Sequence, residues 1–174
     1  TAEQSALQEG PNALNVALKM FANIIQKTNE VKMNYSKGRK IYIAISAILV
    51  IAVAIIIFYL SHQTSTESSE TSDSLIGLIF SLIGQSFSAD FIRSLAHFCE
   101  FAGFGFLMSN LLFSLKDKLK PFFSVLFSFG YAVTDEIHQI FIPGRAFQLI
   151  DLTIDLGGIV LGVVVFCLLI FIKY

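Results

Sequence analysis

One twelve-residue stretch, TDEIHQIFIPGR at 134–145, gathers Asp135, Glu136, His138 and Arg145 at the end of a segment otherwise suited to lipid. Two adjacent carboxyls, an imidazole and a guanidinium are the groups that move protons or grip an anion. Keeping charge at membrane depth costs about 2.5–3.5 kcal/mol per group on insertion scales. A chain that retains such groups uses them, either to bind a ligand or to lock its helices together.

Two further segments carry ionisable residues in the same way. Arg93, His97 and Glu100 are spaced i, i+4 and i+7, which places them on one helical face. Asp151 and Asp155 share a face at i, i+4. Counting along each helix, Glu100 and Asp135 both fall roughly 10 Å below the same membrane edge. Asp135, His138 and Gln139 share a face, with Glu136 turned about 100° from them. Ile142-Pro143-Gly144 then ends the helix, because the residue before proline avoids helical geometry and glycine permits a sharp turn. That turn aims Arg145 back over the bundle.

The candidate acid–base residues are therefore Asp135, Glu136, His138, Asp155, His97 and Glu100. The candidate binding residues are Arg93, Gln139, Arg145 and Asp151. Five carboxylates against two arginines leave the cluster at −3 with neutral histidines, which a poorly solvated site does not sustain. Some carboxyls are protonated, the histidines are charged, or a cation is bound. A carboxylate pair with one raised pKa is what acid–base chemistry uses. No HExxH or comparable ligand spacing accompanies the histidines, so no metal site is assigned. No glycine-framed serine marks a nucleophile turn; Ser61 and His62 read as loop residues. The competing explanation is structural, with buried pairs such as Arg93–Glu100 or Arg145–Asp151 fixing helix register.

The elements that must position these residues are apolar runs. The chain is 55% hydrophobic, with mean hydropathy +0.71, 18 Phe and no Trp. Residues 41–60 carry no charge and are long enough for a hydrocarbon core of ~30 Å. Residues 95–115, 121–142 and 152–172 are three further candidates, with 121–142 opened by a proline where a helix tolerates one. Nine of the fourteen residues at 61–74 are Ser or Thr, a stretch that buries no core. The apolar run 75–83 is too short to span and reads as a helix lying in the interface. These features predict an all-α integral membrane bundle of four transmembrane helices, with a short interfacial helix in the first outer loop.

Lys37, Arg39, Lys40, Lys116, Lys118, Lys120 and Lys173 flank one side of this arrangement, while 61–91 holds no Lys or Arg. The positive-inside rule makes both termini cytoplasmic and turns the polar cluster outward. Cys99 and Cys167 fall near opposite membrane faces, out of disulfide reach, and both read as buried apolar residues. Residues 1–32 form an amphipathic pattern with Leu14, Leu18, Phe21 and Ile25 on one stripe. They read as a fused helix separate from a membrane domain at 33–174, with a native cytoplasmic helix as the alternative. A net charge of −1 suggests no nucleic-acid partner.

DEIHQIFIPGR followed by LIDLTIDLGGIVLG closely resembles the VanZ-like family of bacterial membrane proteins. IIIFYLSHQTSTESS and RSLAHFCEF add to the resemblance, which covers residues 39–171. It implies a four-helix domain of the bacterial plasma membrane, associated in the founding member with resistance to the glycopeptide teicoplanin and in relatives with lipoglycopeptide resistance. The polar signature falls on Arg93, His97, Glu100, Asp135, Glu136, His138, Gln139, Pro143, Gly144, Arg145, Asp151 and Asp155. The chain departs from the pattern at Ser61-His62-Gln63 and at the bulkier Ala146-Phe147-Gln148.

Combined with the shared depth, the resemblance leads to an outer-leaflet site that binds or modifies a lipid or a lipid-linked wall precursor. Membrane lipids and a precursor or lipoglycopeptide are the expected partners, and no cofactor is implied. A non-catalytic binder, a scaffold for wall-synthesis proteins and ion-coupled transport are the competing functions. Transport is disfavoured because the polar groups occupy one leaflet only.

Overall fold

The computed structural model describes residues 13–29, 37–64, 70 and 88–173. Among the described residues there are five principal helices and no strand: α1 (Ala13–Asn29), α2 (Lys37–Ser61), α3 (Ala89–Lys116), α4 (Pro121–Gln139) and α5 (Leu149–Lys173). The predicted interfacial helix at 75–83 lies outside the described residues.

The helix ends follow local chemistry. The Ser88 side chain accepts the Phe91 N–H at 3.2 Å and caps the start of α3. Asp117, at φ 52°, closes its other end with an N–H bond to the Phe113 carbonyl. Pro121 opens α4, where a missing N–H costs nothing. After Gln139 the chain turns through Gly144 at φ 76°, and the Arg145 N–H bonds the Ile142 carbonyl at 3.1 Å.

Among the described residues, three helical segments are long and apolar enough to cross a membrane: Gly38–Ser61, Asp90–Lys116 and Leu149–Lys173. The exteriors are apolar, with Ile48, Ile55, Phe127 and Leu169 exposed, while Ser, Asp, Glu and Gln side chains are buried. This inverted distribution is that of a multi-pass membrane protein. Pro121–Gln139 is not among the three: Ser124, Ser128, Thr134, Asp135, Glu136, His138 and Gln139 lower its hydropathy.

Helix α3 packs closely on α5 along a glycine seam. A Cβ on Gly158 would collide with the Phe98 carbonyl oxygen, and one on Gly162 with that of Ala102. A Cβ on Gly105, facing the other way, would lie 2.7 Å from the Ile159 carbonyl oxygen. Small residues here bring backbones together as small-xxx-small pairs do. Beside the seam, Phe101, Phe104, Ile159, Val163 and Phe166 form the core, with Ile57 from α2. Cys167 joins it, but Cys99 is exposed, contrary to the sequence expectation for it, because its side of α3 faces away from the bundle.

Contacts at both ends fix an alternating up–down order for α2 to α5. At one end the Arg39 guanidinium pairs with Asp117 at 2.6 Å and donates to the Ser114 carbonyl at 3.0 Å, tying the start of α2 to the end of α3. Lys40, Lys116, Lys118, Lys120 and Lys173 cluster at the same end. At mid-height the Tyr131 hydroxyl of α4 donates to the Ala54 carbonyl of α2. The opposite end brings together the close of α2 and α4 and the start of α3 and α5.

Candidate functional site

That opposite end holds nearly every ionisable residue singled out above. Asp135 is buried near the end of α4 and accepts two hydrogen bonds on Oδ2, from the Ser61 hydroxyl at 2.7 Å and from Gln139 Nε2 at 3.4 Å. Its Oδ1 is buried without a partner. Glu136, one residue on, points another way, as a 100° step per residue requires. It is fully buried and accepts the Gln148 backbone N–H at 2.9 Å. The two neighbouring carboxyls therefore reach different walls of one polar interior.

The seam between α3 and α5 sets the next pair. Gly158 rests against the Phe98 backbone, so His97, next to that contact, and Asp155, one turn nearer the membrane edge, come together. His97 Nδ1 and Asp155 Oδ1 lie 3.4 Å apart, close enough to attract but not aligned as a hydrogen bond. Asp155 is fully buried. Glu100 lies one turn deeper on α3, within electrostatic reach of His97, Asp135, Asp155 and Arg145. The acid–base candidates thus occupy one neighbourhood instead of separate surfaces.

Above them opens a pocket of about 250 Å³, lined by Arg93, Gln139, Gly144, Arg145, Ala146, Gln148 and Asp151. The turn after α4 delivers Arg145 there, where its Nε donates to the Gln63 carbonyl at 3.1 Å and Nη1 to Gln139 Oε1 at 3.4 Å. Burial and the nearby Arg93 guanidinium push the Arg145 pKa below its ordinary value, against the pull of Asp135, Asp151 and Glu136. Arg93 itself pairs with exposed Asp90 at 2.9 Å. The register pairs considered from sequence, Arg93–Glu100 and Arg145–Asp151, are replaced by these contacts, and Asp151 instead accepts from Gln148 Nε2 at 3.1 Å. Two guanidiniums beside one small polar space favour an anionic occupant. Among the described residues, no group of three or more His, Cys, Asp or Glu is arranged to hold a metal ion.

Sequence reasoning missed four contributors. Ser61 is the last residue of α2, not a loop residue, and it is buried against Asp135. His62 follows it, its Nδ1 lying 3.2 Å from His138 Nε2. Gln63 and Gln148 hold Arg145, Glu136 and Asp151. The available signal was depth: the apolar run at 41–60 ends at the membrane edge near which Asp135 lies, so its next residues had to meet the cluster.

The architecture is therefore that of a helical membrane protein with a buried ionisable cluster beneath a basic pocket at one end. A family model described as VanZ/LLP1 matches residues 46–171, and the chain belongs to that family. No curated protein and no solved structure matched in the corresponding comparisons.

Proposed function

We propose that this protein acts at the outer face of the bacterial plasma membrane on a lipid or lipid-linked wall precursor, and so confers tolerance to glycopeptide or lipoglycopeptide antibiotics. The observation that carries the reading is the pocket lined by Arg93 and Arg145, whose Gln139 and Gln148 also bond Asp135 and Glu136, carboxyls that each keep an unpartnered oxygen. Its size, about 250 Å³, falls below the ~300–1,000 Å³ usual for drug-sized ligands, which favours a charged head group over an entire antibiotic. Arg93 and Arg145 hold the head group, with Gln139 and Asp151 orienting it. One of Asp135, Glu136 or Asp155 is the acid or base, and His97 or His138 moves its proton. Glu100 sets the charge around them.

The same proposal makes α4 a fourth crossing, since the alternating order carries it from the lysine-rich end to the polar end. With lysines inside, both ends of the chain face the cytoplasm and the pocket faces outward. Single alanine replacements of Asp135, His138 and Arg145 test the site. Tolerance should fall at normal protein abundance; unchanged tolerance in all three variants would discard it.

A second reading, binding without turnover, is favoured by the donors that already hold Asp135 and Glu136 in place. Incubating purified protein with a lipid-linked precursor separates the two, since only catalysis changes the precursor's mass.

A further inference from the structure

His62 belongs to no role assigned so far, yet it makes the most directional contact at the rim of the cluster. Its Nδ1 lies 3.2 Å from His138 Nε2, joining the residue just after α2 to the last turn of α4. The ring centres are 5.4 Å apart and the planes differ by 16°. That separation is close to the 3.2 Å contact plus one ring radius at each end, so the two nitrogens face each other along the line joining the rings. One nitrogen donates and the other accepts, an alignment that strengthens a hydrogen bond. A shared metal ion would instead need both lone pairs to converge off that line. Phe58 stacks on His138 with ring centres 4.5 Å apart and lies 6.1 Å from His62, which holds both rings in register.

We propose that His62 and His138 form a two-ring proton relay between outside water and the Asp135 carboxyl. His62 is exposed and meets water through Nε2, while His138 is half-buried and lies within electrostatic reach of Asp135. With His138 Nε2 committed to His62, its Nδ1 is the nitrogen left for the inner side. A proton taken up at His62 Nε2 releases the one on Nδ1 to His138 Nε2, and His138 Nδ1–H, which makes no direct hydrogen bond to Asp135, passes its proton through one bridging water to the Asp135 carboxylate. The carboxylate gains one proton, outside water loses one, and each ring keeps one N–H. Running the path backwards restores both tautomers. His97, Glu100, Asp155 and Arg145 are the charged or titratable groups near the inner end. None of them offers a comparable route to exposed His62. His62 is thus a positioning and proton-delivery residue, and the inference rests on the acid–base form of the function proposed above.

The first test is independent of activity. In the full chain, labelled with ¹⁵N-histidine and held in lipid nanodiscs, NMR should show scalar coupling across the hydrogen bond between His62 Nδ1 and His138 Nε2. Two uncoupled rings would overturn the relay. The second uses cells challenged with lipoglycopeptide. His62→Ala should lower the protein-dependent tolerance about tenfold, less than the ~10²–10⁴ of an entire proton-transfer step, because water substitutes in part. Imidazole added to the medium should restore His62→Ala but not Asp135→Asn. If Asp135→Asn is inactive while His62→Ala matches the parent chain across the pH range, the relay falls and the acid–base site stands. If Asp135→Asn is itself fully active, the acid–base site falls and the relay with it.

Discussion

The Ser61 hydroxyl donates to Asp135 Oδ2 at 2.7 Å, a bond between residues 74 apart that fastens the end of α2 to the end of α4 inside the polar cluster. Asp135 Oδ2 has one other donor, Gln139 at 3.4 Å. Ser61→Ala therefore leaves a buried carboxyl under-satisfied, a loss of about 1–3 kcal/mol. Thermal unfolding in detergent should show a clear drop for Ser61→Ala and a smaller one for Ser61→Thr, which keeps the hydroxyl. Equal melting of all three chains would mean the bond holds nothing.

The glycine seam makes a sharper prediction. Gly162→Ala drives a methyl into the Ala102 carbonyl, and Gly158→Ala drives one into that of Phe98, whereas a methyl on Gly157 meets only Phe98 ring carbons, the nearer at 3.5 Å. The first two should destabilise by about 1–3 kcal/mol, the cost of overpacking. Gly157→Ala should be tolerated. Melting temperatures of the three variants, measured together, check the order.

Arg145→Lys keeps the charge but removes the planar fork that reaches both the Gln63 carbonyl and Gln139. Head-group affinity should fall about tenfold, equivalent to ~1.4 kcal/mol, with little change in protein abundance. Titration calorimetry with a short-chain anionic lipid reads the difference. Affinity equal to that of the parent chain would show that charge alone suffices.

At the lysine-rich end, Arg39 is buried against Asp117 and the Ser114 carbonyl. Arg39→Leu strands the Asp117 carboxylate and should cost ~3–5 kcal/mol, the range for breaking a buried pair by removing one partner. In protein that still folds, head-group affinity should hold, because the pocket lies at the opposite end of the bundle. A matching loss of affinity would show that the two ends are coupled.

Much of this arrangement is visible in the residues themselves. The runs behind α2, α3 and α5 announce helices by apolar length, and Pro143-Gly144 announces the turn that swings Arg145 inward. Gly158 and Gly162, four residues apart, mark in the sequence where α5 can press against a neighbour. Other features depend on neighbours that a single chain reading does not supply. Ser61 resembles the serines that follow it until α4 is placed beside it. Cys99 and Cys167 have the same side chain, and only the packing of α3 turns one outward and buries the other. Helical spacing offers Arg93 a partner in Glu100, while the shorter reach back to Asp90 satisfies the charge in water. Helix α4 matches a span in length, but its polar last turns keep it out of the three segments apolar enough to cross.

Because backbone meets backbone between α3 and α5, sliding or rotating either one drives it into the other, and the two form the stator of the bundle. They bear Arg93, His97, Glu100, Asp151 and Asp155, while Ser61, His62, Asp135, Glu136 and His138 ride on the other pair. Long side chains such as Tyr42 and Arg39 link α2 to that stator, and these can lengthen or swivel. Any widening of the chamber therefore falls to α2 and α4, which meet that pair through side chains and not backbone.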